Sequence, residues 1–359
     1  MAKKPTITNV ARLAGVSTAT TGRVLGGYGY SSQDVRDRVF ASAEQLGYTP
    51  NQLARSLITG TTRTIGVVAG DIQSPFYASV LRGIYNVARL EGFGLLVTGS
   101  DELLKQEIES VELLLAKQVD GLIIAPLDLR DAQHLRKVMD SGKPIVQIDR
   151  IIEGFNADYV VVDNFKASYE ATLSLIKAGH RSIGVVAELE HSNGKGIEEF
   201  IAAARLGTVD PQYLFPSWQR VYGYLRAMLQ SGCEINPDHI CRVGEYSVTA
   251  GQSRVEEMMT QSIHPTAVFS TGGLLSVAVM HVLDKLNLSI PDDLSLVCFD
   301  DLDWFSFNKP QISAIKQPTI EMGEEAARLI FNRMKNTAEP QQGVQLKTTF
   351  INRFSTRNI

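Results

Sequence analysis

The 359-residue chain has few cysteines, only two tryptophans and no long apolar run, and each shortage removes a class of explanation. Its three cysteines, Cys233, Cys241 and Cys298, are odd in number and lack metal-ligand spacing. They exclude a disulfide framework and fit ordinary buried thiols in a reducing compartment. No stretch approaches the ~18 apolar residues of a membrane span, and the opening MAKKPTITNV lacks the apolar core of a secretory signal. A cytoplasmic protein with no membrane partner is expected. Catalytic signatures are missing too: there is no phosphate-binding P-loop, no nucleophile elbow and no GxGxxG after a strand. The six histidines are scattered, so no enzyme activity, cofactor or metal is predicted.

What is present is a chain longer than one ordinary domain, 44% hydrophobic and therefore able to fill packed cores. Its charge is uneven. The first 60 residues hold Lys3, Lys4, Arg12, Arg23, Arg36, Arg38 and Arg55 against Asp34, Asp37 and Glu44, a balance of +4 in a chain whose net charge is −4. A basic head on an acidic body suits phosphate contact by the head alone. The same segment reads as three helices. Thr6 caps a helix from Ile7 to Ala14 with Val10, Ala11 and Leu13 as its apolar stripe, and Gly15 ends it. Ser17 caps a slim second helix from Thr18 to Leu25, narrow enough for a major groove. Ser32 caps a third carrying Val35, Val39, Ala43 and Leu46 at helical spacing, terminated at Gly47. This spacing describes a helix-turn-helix reader of DNA.

From Thr64 onward, strand-like runs (TIGVV, GLLVTG, GLIIAP, PIVQID, YVVVD, then SIGVVA, AVFS, LSLVCFD, ISAIKQ) alternate with helical patterns. Such alternation predicts two doubly wound parallel sheets covered on both faces. Open parallel sheets bind ligands beyond the carboxyl ends of their strands. Asp71, Asp149, Arg150, Asp300 and Asp301 sit just there. Any one strand-end carboxylate can equally cap a helix; the convergence of several predicts a small polar ligand.

Together VARLAGVSTATTGRVL, VRDRV, LGYTPNQLARSL and the run Ile320, Glu321, Met322, Gly323 resemble the lac repressor (LacI/GalR) family of bacterial transcription regulators. The resemblance implies an N-terminal all-α, lambda-repressor-like helix-turn-helix domain over residues 1–61, with a hinge helix at about 51–58. It implies an α/β periplasmic-binding-protein-like domain over 62–359, for effector binding and dimerisation. Its first lobe takes about 62–162 and 319–346 and its second about 163–318 and 347–359, with crossings near Val162, Pro318 and Lys347. On the DNA side it implies base-edge reading by Thr18, Ala19 and Arg23, flanked by Ser17 and Thr20, and a minor-groove grip by Asn51, Arg55 and the wedging Leu57. On the effector side, Arg220 and Asp300 line up with the family's binding arginine and aspartate and Phe76 with its pocket aromatic. Asp71, Asp149, Arg150, Trp218 and Gly272 complete the expected set. A guanidinium and carboxylates suit a sugar or sugar acid. The implied partners are a pseudo-palindromic double-stranded operator, a small-molecule effector and a second copy of the chain. No leucine heptad follows VQLKTTFINRF, so a homodimer is expected. A solute-binding protein or an enzyme on the same two-lobed body remains the alternative, distinguished by export or by turnover.

Three departures from the family pattern stand out. Thr271, Gly272 and Gly273 replace its Ala-Asn-Asp. Thr21 and Gly22 stand where a buried valine and a phosphate-contacting serine are usual, and a mid-helix glycine costs roughly 1 kcal/mol. The segment between Ala187 and Arg220 is longer than the family's and contains IEEFIAAARLG. Residues 193–211, with Phe215 and Trp218, are expected to form a lid or rim over the cleft.

Overall fold

The computed structural model describes residues 5–49, 56, 60–189, 196–336 and 339–359. Asn51, Arg55 and Leu57 lie outside the described residues. The chain divides into two compact units, Met1–Thr64 with Ala116–Asp120, and Ile65–Leu115 with Gly121–Ile359. Among the described residues no helix is long and apolar enough to cross a membrane.

The first unit carries α1 (Ile7–Ala14), α2 (Thr18–Gly26) and α3 (Gln33–Gln45). Asn9 Oδ1 accepts from the Thr6 amide at 2.9 Å and from its hydroxyl at 2.6 Å, and Ser17 Oγ accepts from the Thr20 amide at 3.0 Å. Both helices thus begin on satisfied donors. Gly15, at φ 67°, makes the left-handed turn between them. Val10, Ala14, Val24, Val39 and Ala43 form the small core. The expected stripe is displaced by one residue: Leu13 is 47% exposed and Ala14 is buried in its place. Thr21 is fully buried, and its hydroxyl donates to the Ser17 carbonyl at 3.0 Å, so a polar residue occupies a core position without an orphaned group. In the same unit Thr61 Oγ1 and the amides of Thr62 and Thr64 all donate to the Asp120 carboxylate, at 2.8 to 3.1 Å.

The second unit contains two six-stranded sheets. The first holds β1 (Thr64–Ala69), β2 (Gly94–Gly99), β3 (Gly121–Ile124), β4 (Ile145–Ile148), β5 (Asp158–Val162) and β11 (Gly343–Leu346), in the order β11-β5-β4-β3-β1-β2. The second holds β6 (Ile183–Ala187), β7 (Ile240–Arg242), β8 (Ala267–Ser270), β9 (Ser295–Phe299), β10 (Ser313–Lys316) and β12 (Thr349–Ile351), in the order β12-β10-β9-β8-β6-β7. The two orders correspond strand for strand. β11-β5-β4-β3-β1 and β10-β9-β8-β6-β7 pair in parallel, and β12 pairs antiparallel with β10. The inner strands β3, β4, β6, β8 and β9 are buried throughout, which is why they read as continuous apolar runs.

Helices α4 (Pro75–Leu90), α5 (Leu104–Ala116), α6 (Gln133–Asp140) and α12 (Thr319–Lys335) belong to the first sheet's lobe. Helices α7 (Asn164–Lys177), α8 (Ile197–Leu206), α9 (Pro216–Gln230), α10 (Val248–Met259) and α11 (Gly273–Lys285) belong to the second's. α4 and α12 touch through glycine. A Cβ on Gly83 would sit 2.0 Å from the Ile320 carbonyl oxygen, and one on Gly323 2.0 Å from that of Val80. In the other lobe Gly223 of α9 meets α7 the same way, 2.4 Å from the Phe165 carbonyl oxygen. The extra helix α8 is not a free lid. It buries Phe200, Ile201 and Ala204 in the second lobe's core, with Phe200 edge-on to Trp218 at 4.7 Å.

The chain passes between the sheets after Val162, between Lys316 and Thr319, and between Leu346 and Thr349. Two of these passages are fastened at Asp163, whose carboxylate accepts from the Thr348 amide at 3.0 Å and whose amide donates to the Leu346 carbonyl. His180 is fully buried between the Thr266 and Ser295 hydroxyls, at 2.9 and 3.0 Å. Burial lowers its pKa, so the ring is a neutral structural strut. Cys233, Cys241 and Cys298 are buried free thiols, and burial pushes Cys241 and Cys298 up to about 12.

Candidate functional site

A small cleft with a cavity volume of about 90 Å³ lies between the two sheets at the carboxyl ends of their strands, where open parallel sheets take ligands. Two of its carboxylates occupy matching places: Asp149 directly follows β4, Asp300 directly follows β9, and those strands correspond in the two sheet orders. Both residues are left-handed, at φ 69° and 71°. Strain of this kind persists where a side chain must be aimed.

Each charged group is held by a framework of partners. Asp300 Oδ2 accepts from the Gly273 amide at the start of α11, at 3.1 Å, and Oδ1 accepts from Gln317 Nε2 at 2.6 Å. Arg220 donates from Nε to Asn164 Oδ1 at 2.9 Å and from Nη1 to the Thr271 carbonyl at 2.7 Å, while its guanidinium lies 3.7 Å from the Phe299 ring centre. Arg150 donates from Nη2 to Glu102 Oε1 at 2.8 Å and lies 3.5 Å from Asp149. Its guanidinium also rests 4.7 Å from the ring centre of Phe215, on the opposite lobe. Asp71 Oδ1 accepts from the Gln73 amide at 2.8 Å, closing the turn that carries it. Burial pushes the Asp149 carboxyl above its ordinary range, against the pull of Arg150 and Arg220.

Among the described residues, three buried atoms lining the cleft have no hydrogen-bond partner: Glu102 Oε2, Arg150 Nη1 and Gln317 Oε1. Unsatisfied buried polar atoms are rare in native proteins, and here donors and acceptors from both lobes face one space. Burial also raises the Tyr77 pKa well above its ordinary value, so the phenol remains a donor. The lining holds five carboxylates, those of Asp71, Glu102, Asp149, Glu188 and Asp300, against two guanidiniums.

Six of the eight effector-side residues expected from sequence therefore line one cavity: Asp71, Phe76, Asp149, Arg150, Arg220 and Asp300. Two do not. Trp218 is 3% exposed and forms part of the core beneath the cleft, because its indole fills the space against Phe200. Gly272 lies behind the Tyr246 ring, which would touch a Cβ there at 3.0 Å and presents its own edge to the cavity. Asp301 turns away to a two-point pair with Arg353, at 2.6 and 3.0 Å. Sequence reasoning missed Glu102, Glu188 and Gln317, although the last two directly follow β6 and β10. The strand-end rule that found Asp149 would have found them. Tyr77 and Tyr246 carry no such signal.

In the first unit, Ser17, Thr18, Ala19 and Arg23 are exposed and Thr20 is half-buried. The Ser17 and Thr20 hydroxyls bond each other at 2.8 Å, and Arg23 Nη2 lies 3.5 Å from Thr20 Oγ1.

Residues 6–51 match the family model for bacterial regulatory proteins of the lacI family. Residues 62–205 match periplasmic binding proteins and the sugar binding domain of the LacI family, and 173–356 a periplasmic binding protein-like domain. The chain is 30% identical over 352 residues to catabolite control protein A of Priestia megaterium, covering 98% of this chain and 99% of that protein. Among solved structures it resembles the transcriptional regulator CelR in complex with cellobiose, at 26% identity and a TM-score of 0.68, over 98% of this chain and 99% of that one. The lac repressor dimer bound to operator and the anti-inducer ONPF shares its fold, at 21% identity and a TM-score of 0.79, over 99% and 100% of the two chains. A basic helix-turn-helix unit, two matched parallel sheets and a polar cleft at their strand ends meet in one lineage: the chain belongs to the lacI family of bacterial regulatory proteins.

Proposed function

We propose that the protein is a cytoplasmic repressor that grips a pseudo-palindromic operator as a homodimer and changes its grip when a small hydroxyl-rich effector fills the cleft. The observation supporting this reading is the set of buried atoms without a partner among the described residues, Glu102 Oε2, Arg150 Nη1 and Gln317 Oε1, contributed by both lobes to one cavity. A ligand that satisfies them prefers the closed arrangement, and differential affinity for two arrangements is what an effector needs to act. The excess of carboxylates over guanidiniums favours a neutral sugar or polyol over a sugar acid. A sugar effector also accords with the cellobiose named in the CelR complex. A regulator of this kind binds and releases its effector unchanged, and no enzymatic role is proposed for the cleft.

The effector contacts are Asp71, Phe76, Asp149, Arg150, Arg220 and Asp300, and the operator contacts are Ser17, Thr18, Ala19, Thr20 and Arg23. The domain limits are those set out from the sequence, at residue 61 and at the three crossings. Dimerisation is supported by exposed apolar side chains at the edge of the first lobe's sheet. The edge strand β2 shows Leu96 and Val97, 38% and 43% exposed, and Leu103 and Leu113 lie open nearby in sequence.

The test is a thermal-shift screen of sugars, polyols and sugar acids, followed by operator binding with each hit. A true effector raises the melting temperature of the parent, leaves Arg220→Ala and Asp300→Ala unshifted, and alters operator affinity. A panel in which every hit shifts parent and variants alike would sink the cleft assignment.

A further inference from the structure

Gly22 lies on the face of α2 that also carries Thr18 and Ala19, and it supplies no side chain there. A Cβ at that position would meet the Tyr28 hydroxyl at 3.6 Å and Ile7 Cδ1 at 3.7 Å. One turn on, a Cβ at Gly26 would lie 2.3 Å from Tyr28 Cε1. The two glycines therefore leave a bare strip against which the Tyr28 ring folds back, and any larger residue at 26 would displace it. The ring is half-buried. Among the described residues its hydroxyl donates to nothing and accepts from nothing.

A ring pinned along a helix carries its hydroxyl with little freedom left to lose. The hydroxyl is held beside the position of residue 22 and next to Ile7, the first residue of α1. In helix-turn-helix docking the second helix enters the groove while the first crosses the phosphate backbone. A point between the start of α1 and the face of α2 therefore meets the backbone rather than a base edge. The first turn of a helix favours an anion there, and tyrosine hydroxyls are among the groups that donate to phosphate oxygens.

We infer that the Tyr28 hydroxyl donates a hydrogen bond to an operator phosphate, replacing from the following loop the contact that Gly22 cannot make. The inference rests on the operator-binding reading and deepens it. The contact is geometric and sequence-blind: it sets how α2 sits in the groove, while Arg23 and its neighbours read bases.

The experiment first enriches genomic fragments on the intact protein to obtain an operator. Affinities for that operator and for an unrelated duplex are then measured with the parent, Tyr28→Phe, Gly22→Ser and the double variant Tyr28→Phe/Gly22→Ser. Tyr28→Phe is expected to weaken both duplexes by about tenfold, the usual scale for a lost hydrogen bond to a charged group. It should not change the melting temperature. The salt dependence should also stay the same, because a neutral hydroxyl releases no counterion. Gly22→Ser, whose Cβ fits at ordinary contact distance, should restore most of the loss in the double variant. Parent-like affinity of Tyr28→Phe, a loss confined to the operator, or no rescue by the serine would each overturn the inference while leaving operator binding intact. Failure of the parent to select any fragment would instead sink the operator reading itself.

Discussion

Arg220 has almost no freedom: two acceptors and the face of Phe299 hold its guanidinium before any ligand arrives. Replacing it by alanine strips Asn164 Oδ1 and the Thr271 carbonyl of their donor, and should cost about 1 to 3 kcal/mol of stability in addition to effector binding. Chemical denaturation reads the first loss and ligand-induced thermal shift the second. Trp218 and Phe215 separate along a different line. Trp218→Ala should cost about 3 to 5 kcal/mol as a core cavity, with effector affinity close to the parent's in the folded fraction. Phe215→Ala removes the ring under Arg150 and should weaken the effector severalfold, in addition to a stability cost of about 3 kcal/mol because Phe215 is itself buried in the same core. Equal effects of the two variants on both readouts would contradict the placement of Trp218 outside the cleft. At this scale the sequence told which ends of which strands matter, and Asp149, Arg150 and Asp300 follow from that rule alone. It could not tell Trp218 from Phe215, three positions apart, because burial under a neighbouring helix leaves no mark in local spacing.

Elements carry the next constraint. The α4 and α12 axes approach so closely that carbonyl oxygens occupy the space a Cβ would need. Gly323→Ala should therefore lower stability by about 3 kcal/mol, near the upper end for an overpacked core, despite alanine's better helix propensity. A rise in melting temperature would mean the helices can part without cost. The alternation of strand and helix was plain in the apolar runs, as was the helix-turn-helix, because both follow from periodicity and caps. The role of α8 was not. Its amphipathic pattern announces a helix and a buried face, and Phe200, Ile201 and Ala204 indeed point inward, but periodicity does not say what that face covers. Excising 197–206 should expose the second lobe's core and abolish cooperative unfolding.

At the scale of the molecule, pH acts through His180. Its folded pKa is below the ordinary 6.5, so the unfolded chain takes up the proton first. The stability this contributes is complete above 6.5 and is lost as pH falls through 6.5 towards the lowered value. His180→Gln should flatten the slope of melting temperature against pH in that window; an unchanged slope would remove His180 as its source. Salt acts through the head, whose basic balance predicts a steep fall of log operator affinity with log salt, at about 0.9 per neutralised phosphate.

Three strands of backbone join the two halves of the ligand-binding body, and Asp163 ties two of them side by side. A single tether would allow twist, slide and swing. Three adjacent ones cancel most of these and leave essentially one angle free. Whatever occupies the space between the halves is then reported outward as a single number, how far the jaw is shut, and ligands of different shape can differ only in the value they dial.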